Sequence, residues 1–159
     1  DTNNFTNQTG VRTFEAAAFL RRNGADVVRV RKLFRDDLDD YKAKAEAVRE
    51  AEIFEGCFAI STCPSEGIES PTVVGAQAAN ELLDIAGMKA SIVMTFYNNT
   101  IYLSARSIDE VNVQVMMEKL GGGGHRTIAG AQLKDMSLEE ARNRVKEVIR
   151  DMLEKGDIS

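Results

Sequence analysis

Four consecutive glycines stand directly before the only histidine of the chain, in the segment EKLGGGGHRTIAG at residues 118–130. One glycine in the left-handed conformation is enough to end a helix. Each further glycine costs roughly 0.5–1 kcal/mol of backbone entropy relative to alanine, so the surplus glycines need a reason. Bare backbone N–H groups can approach an anion closely. Gly122, Gly123, Gly124 and His125 are therefore predicted to contact an anionic ligand.

Plainer interpretations exist for the same residues. The glycines alone could form a loose loop or let a strand and a helix cross closely, and a lone histidine is often a hydrogen-bonded core residue. The run matches neither a P-loop nor a dinucleotide-binding fingerprint, because it follows a predicted helix and precedes a predicted strand. The position of His125 directly after the glycines favours the ligand contact.

A serine and an arginine two residues apart supply the second candidate half of a site. Strand alternation in TIYLSARS places Ser104 and Arg106 on one face, together with Tyr102. A guanidinium fork beside a hydroxyl suits a phosphate, although an arginine at a strand end is ordinarily just solvated. The helix between Arg106 and the glycines is about twelve residues, or about 18 Å, so the sequence leaves open whether the two halves meet.

Other kinds of site are disfavoured by residue types and spacing. A single histidine leaves no specified catalytic triad, and no H-E-x-x-H metal spacing occurs. Cys57 and Cys63 lack C-x-x-C spacing and are interpreted as buried, reduced thiols. The net charge of −5 argues against a general affinity for nucleic-acid backbones.

The composition is that of a globular chain, with 159 residues, 43% hydrophobic and 28% charged. No apolar run approaches the roughly twenty residues of a membrane span, and the first residues lack the pattern of a signal peptide. A cytoplasmic location and no direct membrane contact from this segment are therefore the expectation.

Helix boundary signals divide the chain. We expect helices in RTFEAAAFLRRNG ending at Gly24, from Asp26 through DVVRVRKLF, and in DDLDDYKAKAEAVREAEIFEG ending at Gly56. In the last of these, Leu38, Tyr41, Ala45 and Val48 share one side. Further helices are expected from Ser70-Pro71 to Gly87, after a cap at Asp109, and from a Ser137/Glu140 capping box with Leu138, Ala141, Val145, Val148 and Met152 inward.

Strands are expected between these helices. CFAIST and RTIAGAQL read as strands, and ASIVMTFY and TIYLSARS flank Asn98-Asn99, a pair that tolerates the positive φ of a hairpin turn. A hairpin mixed with strands separated by helices predicts an α+β fold with a mixed β-sheet flanked by helices.

The segments LSARS, VNVQVMMEKL and GGGGH together resemble the DHH-associated C-terminal domain of DHH-superfamily phosphoesterases. The match is most like the membrane-bound bacterial cyclic-di-AMP phosphodiesterases, and DTNNF…TGVRTFEAA resembles the last metal motif of their DHH domain. The resemblance implies residues 1–54 as the end of a DHH domain with linker helices, and residues 55–159 as a DHH-associated substrate-binding domain.

The resemblance also implies roles for residues. Asp1 matches a manganese ligand, Ser104 and Arg106 match the strand motif, and Gly122 to His125 match the binding turn, with Gly121 and Asn112 as weaker matches. The parent enzyme would use two manganese ions to hydrolyse a cyclic dinucleotide to a linear one. The other metal motifs of the family do not occur in these 159 residues, so this chain alone is expected to hold no metal tightly and to be inactive.

The expected partners are a cyclic dinucleotide or short linear oligonucleotide and the DHH catalytic domain of the same parent chain, with a homodimer left open. The parent is expected to be anchored to a membrane with this domain on the cytoplasmic side. Two alternatives remain open. One is a single-stranded RNA or tRNA binding module, for which Phe96, Tyr97 and Tyr102 are candidate stacking residues. The other is a purely structural or dimerising domain.

Overall fold

The computed structural model describes residues 2, 5 and 8–156, which divide into two compact units between residues 37 and 38. The first unit contains helices α1 (Val11–Arg22) and α2 (Val27–Leu33). The carboxylate of Asp26 accepts hydrogen bonds from two backbone N–H groups in the first turn of α2, which confirms the predicted cap.

The second unit contains a six-stranded sheet and four helices. The strands are β1 (Glu52–Phe54), β2 (Phe58–Cys63), β3 (Ala90–Tyr97), β4 (Thr100–Ser107), β5 (Gly123–Gly124) and β6 (Ile128–Lys134). The helices are α3 (Leu38–Arg49), α4 (Pro71–Leu83), α5 (Val113–Glu118) and α6 (Leu138–Glu154). The strand order is β1-β2-β3-β4-β6-β5, and only β2 and β3 pair in parallel. The predicted α+β fold with a mixed sheet is confirmed.

The two faces of the sheet are covered to different extents. On one face, α5 and α6 pack over side chains from all five longer strands, β1, β2, β3, β4 and β6. On the other face, the buried cluster under α3 and α4 takes its strand residues from β2 and β3 only, namely Ala59, Cys63 and Val93. The second face of β4 and β6 is therefore left without a core of its own in the described part of the chain.

The predicted long helix ending at Gly56 is wrong in its last third. Helix α3 ends at Arg49, and β1 and β2 form a hairpin around Glu55 and Gly56, whose φ values are 48° and 76°. The change is explained by Phe54, which is buried in the sheet core, a position that a continued helix would not give it. Of the residues predicted to share one side of α3, Val48 packs against the core, whereas Leu38, Tyr41 and Ala45 are exposed. The helix buries Ala43, Lys44 and Ala47 instead.

Local signals elsewhere were mostly reliable. The hairpin at Asn98 and Asn99 has φ values of 49° and 55°, and Ser137 with Glu140 forms the capping box of α6. Asp109 does not cap α5; Asn112 does, because its side-chain oxygen lies 3.1 Å from the N–H of Gln114. Of the residues predicted to point inward on α6, Leu138 is instead exposed.

The compact unit begins at Leu38, whereas the predicted domain boundary lies between residues 54 and 55. Helix α3 joins this unit because it packs on α4 and on β2. The assignment of residues 1–54 to a preceding domain stays a prediction.

Candidate functional site

The face of β4 and β6 on the α4 side has no buried core of its own among the described residues, and it carries the polar side chains that the strand pattern predicted. Ile101, Leu103 and Ala105 point into the core, while Ser104 and Arg106 alternate onto the other face. In the antiparallel pairing with β6, Ser104 lies opposite Gly130 and Arg106 opposite Ile128. Opposite residues in a sheet share a face, so Ser104, Arg106, Gly130 and Ile128 lie together on one strip of this face. We call this part of the sheet, formed by β4 and β6 on the α4 side, the open half or open face.

The Arg106 guanidinium is held in place from two sides. Its Nε donates to Oδ1 of Asn80 on α4 at 2.9 Å, and one terminal nitrogen donates to the carbonyl of Ala105 at 2.9 Å. Within residues 8–156 no carboxylate lies within ion-pair distance of this guanidinium. Two of its five N–H donors thus orient the guanidinium, and the other three make no hydrogen bond to the described residues and are available to a ligand.

Burial lowers the pKa of the Arg106 guanidinium below its ordinary value, because desolvation disfavours the charged form. An arginine remains charged at neutral pH despite such a shift. A partly desolvated cation with no counter-charge is expected to gain more from an incoming anion than a fully solvated one does.

The structure explains three of the four glycines by backbone conformation or close packing. Gly121 has φ 79° and ends the turn after α5. A Cβ on Gly122 would lie 2.6 Å from Cα of Ala131, and one on Gly124 would lie 2.5 Å from Cα of Ala129. The plainer interpretation of close strand approach therefore applies to these two residues. Gly123 differs, because an added Cβ would meet nothing within 4 Å and its φ is not positive.

His125 begins the turn between β5 and β6 and is exposed. Its backbone N–H donates to the carbonyl of Ile128 at 2.7 Å, and no hydrogen bond to its imidazole occurs among the described residues. The core-histidine interpretation is therefore wrong. Because Ile128 is the register partner of Arg106, the turn carrying His125 lies at the Arg106 end of the strip.

The next turn residue, Arg126, fixes this segment to the loop after β4. Its Nε donates to Oδ1 of Asp109 at 2.9 Å, and a terminal nitrogen donates to the Asp109 carbonyl at 2.9 Å. Its own carbonyl accepts from the N–H of Val113 at 2.9 Å. The backbone beside His125 is thus anchored to both ends of the β4–α5 connection.

A cavity of about 420 Å³ opens at the other end of the strip. Four polar side chains line it, Thr72, Tyr102, Ser104 and Gln132. The rest of its lining consists of Leu103, Ala131 and three glycines, Gly121, Gly122 and Gly130. The strand serine and the glycine run therefore meet at one cavity, while Arg106 and His125 lie beyond its lining.

Several of these residues were not predicted from the sequence. Gln132 alternates with buried residues along β6, so its position on the open face could have been predicted. Thr72 and Asn80 lie on α4 and gave no signal, because their role depends on how that helix crosses the sheet. Asn112, a weaker candidate, is a helix cap. Phe96 does not join the other two aromatic candidates, because strand alternation turns it to the opposite face from Tyr97 and Tyr102.

Groups suited to a metal ion are absent from the described residues, where no three His, Cys, Asp or Glu side chains converge. The predicted ligand Asp1 lies outside the described residues.

The two cysteines differ in burial. Cys63 is buried, and desolvation raises the pKa of its thiol to about 11, whereas Cys57 is only partly buried. Within residues 8–156 no helix has the length and apolar character needed to cross a bilayer.

The DHHA1 domain family matches residues 56–154 of the chain. The cyclic-di-AMP phosphodiesterase GdpP of Geobacillus thermodenitrificans is 43% identical over 98% of the chain, and the cyclic-di-AMP phosphodiesterase PdeA of Listeria monocytogenes is 44% identical over 91%. The chain covers only 24% and 22% of these two relatives.

Among solved structures, an exopolyphosphatase-related protein from Bacteroides fragilis superposes with a TM-score of 0.83. The match covers 95% of this chain and 46% of that one at 18% sequence identity. At this identity the likeness concerns the fold alone.

Proposed function

Because the chain belongs to the DHHA1 domain family, we propose that it is the substrate-binding portion of a cyclic-dinucleotide phosphodiesterase, with cyclic-di-AMP as the substrate. The relatives named above carry that activity in their names, and the chain corresponds to about a quarter of their length. The parent enzyme would hydrolyse the cyclic dinucleotide to a linear one.

The observation that carries the proposal is the state of Arg106. Its guanidinium is oriented by Asn80, partly desolvated, and without a carboxylate partner in the part of the chain that the structure describes. A phosphodiester oxygen would take the remaining donors in a charge-assisted pair. Ser104, on the same face of β4, supplies a hydroxyl between this cation and the cavity.

The His125 turn and Gly123 support the same proposal from the opposite strand. The exposed imidazole has no partner within residues 8–156, and Gly123 leaves its backbone accessible without a packing requirement. In this arrangement the chain holds and orients the phosphate, and no group in it is assigned to proton transfer.

The two manganese ions that the resemblance implies do not fit the described residues, which contain no suitable ligand cluster. We therefore assign metal binding and hydrolysis to a DHH domain of the parent, outside the described part of this chain. The role of the present chain is to raise the affinity for the substrate and fix its orientation.

Titration calorimetry of the 159-residue chain with cyclic-di-AMP tests the proposal. Loss of charge-assisted hydrogen bonds worth roughly 1.5–3 kcal/mol predicts that Arg106→Ala weakens binding about ten- to a hundredfold. Arg106→Lys is expected to recover little, because an ammonium cannot reproduce the planar fork. Arg150→Ala, which removes an exposed arginine of α6, serves as the control.

Equal affinity of the wild-type chain and Arg106→Ala for cyclic-di-AMP would refute the proposed site. Affinity that rises with oligonucleotide length and falls steeply with salt would instead favour the single-stranded RNA module. Absence of binding by any nucleotide would leave the structural or dimerising role.

A further inference from the structure

The cavity beside Ser104 differs chemically from the Arg106 end of the strip. Within the described residues no lysine, arginine or histidine lines it, so a second phosphate would find no counter-charge there. Its polar groups are the hydroxyls of Thr72, Ser104 and Tyr102 and the amide of Gln132. Neutral donors and acceptors around an aromatic ring suit an uncharged heterocycle better than an anion.

These polar groups are not committed to holding the fold. No hydrogen bond joins the side chains of Thr72, Tyr102, Ser104 or Gln132 to any other described residue, whereas serines elsewhere on this face donate to helix carbonyls. Side chains that line a cavity and leave their hydrogen-bonding capacity unused are available to a ligand.

The sheet register sets Tyr102 and Gln132 side by side. They are direct partners in the β4–β6 pairing, so the phenol ring and the amide share one face of the sheet. An aromatic ring offers a surface on which a base can stack, and an adjacent amide can reach the edge of the same base.

The spacing along β4 fits one nucleotide. Tyr102 and Arg106 are four residues apart, which is about 13 Å in an extended strand. With its phosphate at Arg106 and its sugar beside Ser104, a nucleotide lying along the strand would bring its base to the cavity. Gly122 and Gly130 contribute only backbone to the cavity lining, so no side chain projects into the cavity at these two positions.

We infer that Tyr102 and Gln132 form a nucleobase subsite that selects adenine, and this inference rests on the proposed function. The amide of Gln132 presents a donor beside an acceptor, which complements the N6 amino group and N7 of adenine. Guanine presents two acceptors on the corresponding edge, O6 and N7, and would leave the amide oxygen unpaired. Thr72 bounds the cavity from the α4 side.

The test compares AMP, GMP and ribose 5-phosphate as ligands of the 159-residue chain. The wild-type chain is expected to bind AMP more tightly than GMP, and GMP more tightly than ribose 5-phosphate. Since a bidentate pair contributes roughly 1–3 kcal/mol of discrimination, Gln132→Leu should weaken AMP about tenfold and remove the preference over GMP. Gln132 is exposed, so this variant is expected to fold.

Two further variants sharpen the assignment. Tyr102→Ala should weaken AMP and GMP alike and leave ribose 5-phosphate unchanged, because stacking does not depend on base identity. Gln114→Leu makes the same substitution on α5, where the amide only bonds Glu118, and is expected to bind AMP as the wild type does.

The outcomes separate the two claims. If ribose 5-phosphate binds as tightly as AMP, or if Gln132→Leu keeps the full preference for AMP over GMP, the base subsite is refuted while the anion site stands. If none of the three ligands and no cyclic-di-AMP binds the wild-type chain, the proposed function fails and the subsite fails with it.

Discussion

One row of register partners crosses the sheet from β2 and β3, which are buried under α3 and α4, to β4 and β6, which have no buried core on this face within the described residues. Ser61 on β2, Val93 on β3, Ser104 on β4 and Gly130 on β6 are successive register partners on the same face. Ser61 is fully buried under α3, and its hydroxyl donates to the Ala47 carbonyl at 2.5 Å. The Ser104 hydroxyl lies at the edge of a cavity with no such partner among the described residues.

The neighbouring row repeats the contrast. Ser91 on β3 is fully buried, and its hydroxyl donates to the Ala79 carbonyl of α4 at 2.6 Å. Its partner on β4 is Arg106, which reaches α4 through Asn80 and keeps other donors free. Polar side chains buried under the helices therefore bond the helices to the sheet, whereas the Ser104 hydroxyl and the remaining Arg106 donors have no hydrogen-bond partner within residues 8–156.

Within the glycine run, Gly122 and Gly123 should separate packing from binding. Gly122→Ala is expected to lower the free energy of unfolding by roughly 1–3 kcal/mol, because its Cβ would collide with the β6 backbone. Gly123→Ala should change stability by less than about 1 kcal/mol, since its Cβ enters open space. Urea unfolding measures both variants.

The Gly123 variant should instead show its effect in binding. Gly123→Ala, although folded, is expected to weaken cyclic-di-AMP several-fold by blocking approach to the backbone. A Gly123→Ala chain with wild-type stability and wild-type affinity would remove this glycine from the site.

The next largest effects on stability and affinity are expected for Ser61 and Ser104, which occupy the same row of the sheet. Ser61→Ala should lose about 1 kcal/mol of unfolding free energy and keep its affinity, because it removes a buried hydrogen bond far from the ligand. Ser104→Ala should keep its stability and weaken cyclic-di-AMP several-fold. Thermal unfolding and calorimetry on both variants provide the comparison, and matching stability losses would erase the distinction between the two regions.

A smaller effect is expected where Asp109 anchors the His125 turn. Asp109→Asn removes the charge that pairs with Arg126 but leaves the bond to the Asp109 carbonyl intact. Both side chains are exposed, so the loss of stability should be under about 1 kcal/mol. We expect cyclic-di-AMP affinity to fall about twofold at low salt, with the difference from wild type shrinking at 0.5 M salt because screening weakens the wild-type pair as well. An unchanged affinity at low salt would mean that the turn needs no such anchor.

The smallest effect concerns Glu52 at the far edge of the sheet. Its hydrogen bond to Lys146 lowers the pKa of the carboxyl below its ordinary value of 4.5. A lowered folded pKa stabilises the protein above the unfolded pKa, and the contribution disappears as the pH falls through the folded value. Glu52→Gln should therefore lower the Tm slightly at pH 7, with a loss of at most about 1 kcal/mol, and the difference from wild type should shrink as the pH falls below 4.5.

Binding should not follow this pH dependence, because Glu52 pairs with α6 and not with the open face. A change in cyclic-di-AMP affinity at pH 7 in Glu52→Gln would show that the two regions are coupled.

The sequence predicted much of this division, because its signals were local. Asn98-Asn99 marked the hairpin, and alternation in TIYLSARS assigned Ser104 and Arg106 to one face. The helix predicted to Gly56 failed because Phe54 gains more from burial in the sheet than the helix pattern suggested. Local charge and periodicity cannot report that long-range packing.

The site was predicted only in halves for the same reason. The glycines were assigned to an anion, which stays a prediction, and the structure adds that Gly122 and Gly124 are required by their approach to β6. Their approach depends on the pairing of β5 with β6 across the turn at His125, which the glycine run itself does not indicate. The support of Arg106 by Asn80 joins positions 26 apart in the chain, and no sequence spacing indicates it.

The most direct measurement follows the backbone amide resonances of the ¹⁵N-labelled chain during titration with cyclic-di-AMP. If the open half of the face is the binding site, the amides of Ser104, Arg106 and Gly123 shift in proportion to ligand occupancy. The amide of Ser61, two strands away from Ser104, keeps its resonance position. A shift at Ser61 without shifts on β4 and β5, or no shifts at saturating ligand, would contradict the account.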